Sequence, residues 1–223
     1  MSGIKNISIS NPVPTDLAKR LGKNGIGIIL STFWLGYHDL RADGRNYSVM
    51  DEDSITVEWY TKIYDRWTSE NRAAQVNLKL IPINQYPDHT LKAEDAPGKA
   101  PTIDFCFRVW NEKDSYFGAE CKRLSIGQNR LIKEYVINGV KRFTSGKYSS
   151  KCSISAMIGY VQEGQVSDII AALKPLMIDT NLEENLVRIL HESNPEYKSA
   201  HIRDTDAQTI ILHHLFFDFT SVA

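Results

Sequence analysis

Pro101-Thr102-Ile103-Asp104-Phe105-Cys106-Phe107-Arg108-Val109-Trp110, a polar break from Asn111 to Ser115, and Tyr116-Phe117-Gly118-Ala119-Glu120-Cys121-Lys122-Arg123-Leu124 form the stretch that decides how this chain folds. Ile103, Phe105, Phe107 and Val109 alternate with Asp104, Cys106 and Arg108, the period of a half-buried strand. Phe117, Ala119 and Cys121 alternate in the same way with Gly118, Glu120 and Lys122. Two such runs joined by a short Asn/Asp/Ser break predict an antiparallel hairpin. If the pairing centres near Lys113, the apolar faces match and Asp104 lies across from Lys122, with Glu120 one diagonal step away. Two acids and a lysine then share one face.

Two carboxylates held close repel each other, and a divalent cation bound to both relieves the repulsion. A lysine beside such an ion orients or deprotonates an attacking water. Electrostatically, then, the hairpin is a candidate Mg²⁺ site. The alternative for the same residues is a solvated cross-strand charge set of little energetic consequence. A second Glu-x-Lys triplet, Glu196-Tyr197-Lys198, serves as an internal control: it follows Asn194-Pro195 in a polar stretch, with no acid-bearing partner strand expected.

The pattern resembles the PD-(D/E)xK nuclease superfamily, whose fold is called restriction-endonuclease-like. Ile103-Asp104 stands where that family has Pro-Asp, the proline being displaced to Pro101, and Glu120-Cys121-Lys122 matches (D/E)xK. The resemblance covers roughly residues 50 to 162. It implies an α/β fold with an αβββαβ core, a mixed sheet flanked by helices, to which this chain adds an N-terminal helix, C-terminal helices and one further strand. It also implies a Mg²⁺-dependent phosphodiesterase, with Mn²⁺ able to substitute, acting on nucleic acid and on DNA in particular. Asp104, Glu120 and the Cys121 carbonyl would hold the metal, and Lys122 would position or activate the water. By analogy with compact nucleases of bacterial antiviral and restriction systems, the activity would be that of a restrained effector. The Gln-x-x-x-Tyr motif of one branch is not matched, because Gln128 and Tyr135 are seven apart.

The surrounding elements follow the order that the resemblance requires. Residues 1 to 23 read as a tail or short lead-in helix, and Gly25 to Leu40 as a helix packed on the core through Ile26, Ile29, Leu30, Phe33, Trp34 and Tyr37. Asp51 to Arg72 reads as a helix capped by its acidic and hydroxyl start, with Ile55, Trp59, Ile63 and Trp67 as the buried stripe. Glu52 projects onto that stripe and is the candidate for a third metal or water ligand; a first-turn acid favoured by the helix dipole is its structural alternative. A strand is expected over Ala74 to Gln85, a loop over His89 to Ala100, a basic amphipathic helix over Gln128 to Phe143 and a strand over Cys152 to Gln162. Ser167 to Met177 and Leu182 to Glu192 read as two helices, and Thr209 to Phe219 as a two-sided apolar strand added to the sheet or used in dimerisation. These divide the chain into an N-terminal lead-in (1–50), a core (51–162) and a C-terminal part packed on it (163–223), within one domain overall.

A chain of 223 residues, 42% hydrophobic and 24% charged, has the composition of a globular protein with a sizeable core. No apolar run reaches the length of a membrane span and the first residues lack a signal-peptide plan, so the expectation is a cytoplasmic protein without a membrane partner. Cys106, Cys121 and Cys152, odd in number and set inside apparent strands, read as buried thiols. Net charge is −1, but Cys121 to Lys151 carries eight basic residues against one acid, a local +7. From this segment Arg123, Arg130, Lys133, Lys141, Arg142 and Lys147 are the candidates for contacting a phosphate backbone. A homodimer or a regulatory protein is the further partner this reading allows. His201, His213 and His214 lack aligned acids and read as structural, although they are the residues on which an unrelated α/β enzyme would depend.

Overall fold

The computed structural model describes residues 16–88, 100–112, 114–179, 187–191 and 194–220. In chain order it contains α1 (Leu17–Ala42), α2 (Glu52–Ser69), a single turn α3 (Arg72–Gln75), β1 (Leu80–Pro87), β2 (Thr102–Val109) and β3 (Tyr116–Ser125). Next come α4 (Asn129–Tyr135), a π-helical turn (Val136–Val140), α5 (Lys141–Thr144), β4 (Ile154–Glu163) and α6 (Val166–Asp179). β5 (Val187–His191), β6 (Asn194–Ile202) and β7 (Thr209–Asp218) complete the chain. The strands form a seven-stranded mixed sheet in the order β1-β2-β3-β4-β7-β6-β5. β3, β4 and β7 run parallel to their neighbours in that central group, and the outer pairs are antiparallel.

Helices cover both faces, so the molecule has an α/β architecture with two hydrophobic layers. One layer packs α1 and α2 on the sheet through Phe33, Trp59, Ile63, Phe105, Phe107 and Phe217. Trp59 lies with its ring centroid 5.6 Å from Phe105 and 4.6 Å from Phe217, holding α2 at the centre of the sheet. The other layer packs the α4–α5 segment and α6 through Ile132, Tyr135, Val140, Phe143, Met157 and Ile169. The Asp51 carboxylate accepts the Ser54 N–H at 2.8 Å, the N-cap expected from the sequence.

Several boundaries differ from the expectations. The first helix extends back to Leu17, with a kink at Gly22 (φ 61°) that only glycine adopts easily. No strand forms over residues 74–79: Asn71 and Asn77 take left-handed conformations, which asparagine tolerates, and turn Val76 inward from an irregular segment. The helix expected over Leu182 to Glu192 is overturned where it is described, because Val187–His191 is an edge strand paired antiparallel with β6. Its alternating Val187 and Ile189, followed by the Asn194-Pro195 break, suit a hairpin better than a helix. β7 is hydrogen-bonded on both edges, to β4 and β6, so it has no free edge for dimerisation. Residues 1–15, 89–99, Lys113, 180–186, 192–193 and 221–223 lie outside the described residues, and with them the expected loop from His89 and the ends of the expected Leu182 to Glu192 helix.

The basic helix is interrupted by the π turn, for a reason visible in its burial. Leu131, Tyr135, Gly139 and Phe143 form one buried row, and Ile132, Val136, Val140 and Thr144 another, both spaced by four. Each four-residue step of an α-helix overshoots a full turn by about 40°. The wider π turn absorbs that drift and keeps both rows on the sheet.

Candidate active site

The site forms where the sheet forks. β2 and β3 pair only from Arg108↔Tyr116 to Phe105↔Ala119. Beyond that point β2 stays with β1 and β3 with β4. The hairpin register is therefore centred one residue earlier than expected: Phe107 faces Phe117, and continuing the ladder sets Asp104 opposite Glu120, with Lys122 one diagonal step away. The Glu112 N–H bonds back to the Val109 carbonyl at 3.0 Å, closing the connection early. Two residues of total shift preserve the alternation, so the three side chains still share a face. On the other side of β2 the ladder omits the Gln85–Asp104 pair, and Gln85 has φ 51°.

Opening the fork frees backbone groups of β3 that a neighbouring strand would otherwise satisfy, and side chains take them over. Asp104 Oδ2 accepts the Cys121 N–H at 2.7 Å. Glu52 Oε2, from the first turn of α2, accepts the Arg123 N–H at 3.1 Å. The Cys121 carbonyl accepts from Lys122 Nζ at 2.5 Å. Lys122 Nζ also contacts Glu52 Oε1 at 2.8 Å and Glu120 Oε1 at 2.9 Å. Below the fork, the Thr56 and Tyr160 hydroxyls, 2.9 Å apart, close a buried floor with Cys121.

Glu120 is 2% exposed. Its Oε1 takes Lys122 and, at 3.1 Å, Arg142, whereas its buried Oε2 has no hydrogen-bond partner among the described residues. Burial, and then the charge of Asp104, raise the Glu120 carboxyl to about 8. Burial also raises Asp104 to about 6, against the pull of Lys122. Burial alone would lower the Lys122 ammonium, but Glu120, Glu52 and Asp104 together outweigh it and raise it. Among the described residues no group of three or more His, Cys, Asp and Glu side chains forms a ready metal cage. What the fork does hold is a set of carboxylate and carbonyl oxygens, one of which, Glu120 Oε2, is buried without a hydrogen-bond partner among the described residues.

Glu52, Asp104, Glu120 and Lys122 are thus brought together, and the Cys121 carbonyl with them. Of the basic candidates, Arg142 is half-exposed and reaches into the site: it bonds Glu120 and the Tyr148 hydroxyl, which in turn donates to the Thr102 carbonyl at 2.6 Å. Tyr148 escaped the sequence reading because a turn tyrosine carries no periodic signal. Arg123 is half-exposed beside the fork; Lys133, Lys141 and Lys147 are exposed; Arg130 is exposed but paired with Glu134. Gly139 of the π turn roofs the lysine, where a Cβ would overlap the Met157 methyl and lie 3.8 Å from Lys122 Cγ.

The late histidines lie elsewhere. Tyr135 Oη, His214, Ser199 Oγ and His201 form a buried chain of hydrogen bonds at 2.9, 2.7 and 2.5 Å. His213 Nδ1 is 3.8 Å from Glu196, on the edge of a cavity lined also by Lys19, Lys23 and Lys198. No helix among the described residues is long and apolar enough to cross a membrane. Comparison with protein-family models, with curated proteins and with solved structures finds no match.

Proposed function

We propose that the chain is a Mg²⁺-dependent nuclease of restriction-endonuclease-like fold, hydrolysing phosphodiester bonds of nucleic acid, with DNA as the expected substrate and Mn²⁺ as a substitute ion. The observation that carries this reading is the buried, bare Oε2 of Glu120 at a fork that also gathers Asp104, Glu52 and Lys122. Support also comes from the order α2, β1, β2, β3, α4, β4 around it, which matches the resemblance noted above. Asp104, Glu120 and the Cys121 carbonyl would hold the ion, with Glu52 as a further carboxylate. Such an ion supplies Lewis-acid polarisation of the phosphoryl oxygens and lowers the pKa of bound water. Lys122, held as an ammonium, is a donor that orients water and offsets phosphoryl charge; it is not a base. Arg142, fixed by Tyr148, adds a second cation at the same carboxylate. Lys133, Lys141 and Lys147 are exposed and able to meet a polyanionic backbone.

A second reading, an inert domain of the same fold that binds nucleic acid or serves as a scaffold, draws on one observation: all three donors of the Lys122 ammonium are spent on protein oxygens. A cleavage assay on plasmid, linear DNA and RNA, with and without Mg²⁺ and beside Asp104→Ala, separates the two. Metal-dependent cleavage that Asp104→Ala abolishes is the expected result. A wild-type protein inert with both Mg²⁺ and Mn²⁺ transfers the case to the second reading.

A further inference from the structure

Lys122 does more in this geometry than stand beside a metal site. An ammonium has three N–H donors, and here they go to Glu52 Oε1, Glu120 Oε1 and the Cys121 carbonyl, at 2.8, 2.9 and 2.5 Å. Two of those acceptor groups belong to the metal-binding set named above and the third is its additional carboxylate. We propose that Lys122 is the resident counter-ion of the fork, so that its ammonium and a divalent cation compete for the same oxygens and the metal-free protein locks its own site. This rests on the nuclease reading and adds its regulation.

The surroundings favour such a lock. The Lys122 side chain is 11% exposed, its stem lies beneath the π-turn backbone at Gly139, and its tip is the nearest cation to three carboxylates, so it neutralises charge that would otherwise be buried without compensation. With every donor spent, the ammonium has none to offer a water or a phosphate. Loading the ion therefore requires Lys122 Nζ to release Glu120 and the Cys121 carbonyl, and that release is what frees its donors for substrate. Arg142 remains on Glu120 Oε1 as the second, more exposed cation. Metal affinity is thereby reduced by the same residue that the reaction needs.

The test is titration calorimetry with MnCl2 on the full chain, comparing wild type with Lys122→Met, which keeps the stem's packing and drops the charge. Lys122→Gln, which keeps donors for the carboxylates without the charge, is the second variant should the apolar tip prevent folding. Removing a charge this close predicts Mn²⁺ binding about tenfold tighter or more, together with loss of cleavage. Affinity and activity then move in opposite directions, which a merely structural lysine would not produce. In thermal melts the metal-free variant should unfold at a lower temperature than wild type, and Mn²⁺ should raise its midpoint by more. Equal or weaker Mn²⁺ binding in the folded variant overturns the lock and leaves the nuclease reading intact. Absence of Mn²⁺ binding by wild type and variant at millimolar ion overturns that reading, and the lock with it.

Discussion

The sheet contains the triplet Glu-x-Lys twice, on β3 as Glu120-Cys121-Lys122 and on β6 as Glu196-Tyr197-Lys198. The second was expected in a polar stretch with no acid-bearing partner strand; it lies on β6, paired with β5 and β7, which makes the two directly comparable. Along β6 the ladder to β7 runs unbroken from Glu196↔Leu215 to Ile202↔Thr209, and Lys198 faces His213. Glu196 and Lys198 stay partly solvated. Along β3 the ladder to β2 ends at Ala119, the chain's acids take over the freed amides, and Glu120 and Lys122 are buried. The residues are the same and the local secondary structure is the same. What differs is whether a neighbouring strand still satisfies the backbone, and that decides whether a carboxylate is desolvated beside a second one or left to water.

This contrast can be broken experimentally, and the widest gap expected is in catalysis. Asp104→Ala should lower Mg²⁺-dependent cleavage by on the order of 10²–10³-fold, the range found when one preorganised charge-stabilising group is lost. Cleavage surviving that substitution would remove the fork's claim to be the site. Arg142→Met should cost less, about 10–100-fold, as for residues that orient a metal ligand from behind; Tyr148→Phe should reproduce part of the effect, and kinetics on the two variants would test their linkage.

A third measurement addresses the β6–β7 side through stability. Burial lowers His201 to about 4 and His214 to about 3, against an ordinary value of 6.5. The unfolded chain therefore binds more protons than the folded one between those values, and stability falls as pH drops from about 6.5 toward 4. Asp104 and Glu120, raised by burial, work in the opposite direction over the same range, so the measurement is a difference. In thermal melts between pH 7.5 and 4.5, His214→Asn should lose less stability than wild type, at some cost in midpoint near neutrality. The smallest effects belong to the control triplet: Glu196→Ala and Lys198→Ala should leave cleavage within about twofold of wild type, as partly solvated charge pairs do for stability. A large loss in either would move attention to the cavity beside His213.

Much of the candidate site was legible in the sequence. Period-two alternation put Asp104, Glu120 and Lys122 on one face, and because a two-residue error in register preserves parity, the wrong centre at Lys113 still led to the right grouping. Helical phase put Glu52 on the buried stripe of α2, where it reaches Lys122. Less legible were elements whose state depends on distant partners. Val187–His191 becomes a strand because β6 is there to receive it. Arg142, half-exposed, still reaches Glu120 because a π turn rephases the helix that carries it.

Alternation and phase are properties of neighbouring residues, fixed by the pleat and by the helical repeat, so the chain alone dictated most elements from α2 to β4, their order and which acids face the same way. The fork had to wait for three dimensions. β2 follows β1 and β3 follows β4 through pairings between residues far apart in the chain, and only that competition decides where one ladder stops. Where it stops, backbone amides are left to carboxylates and a lysine is drawn in among them, and no local pattern encodes that outcome.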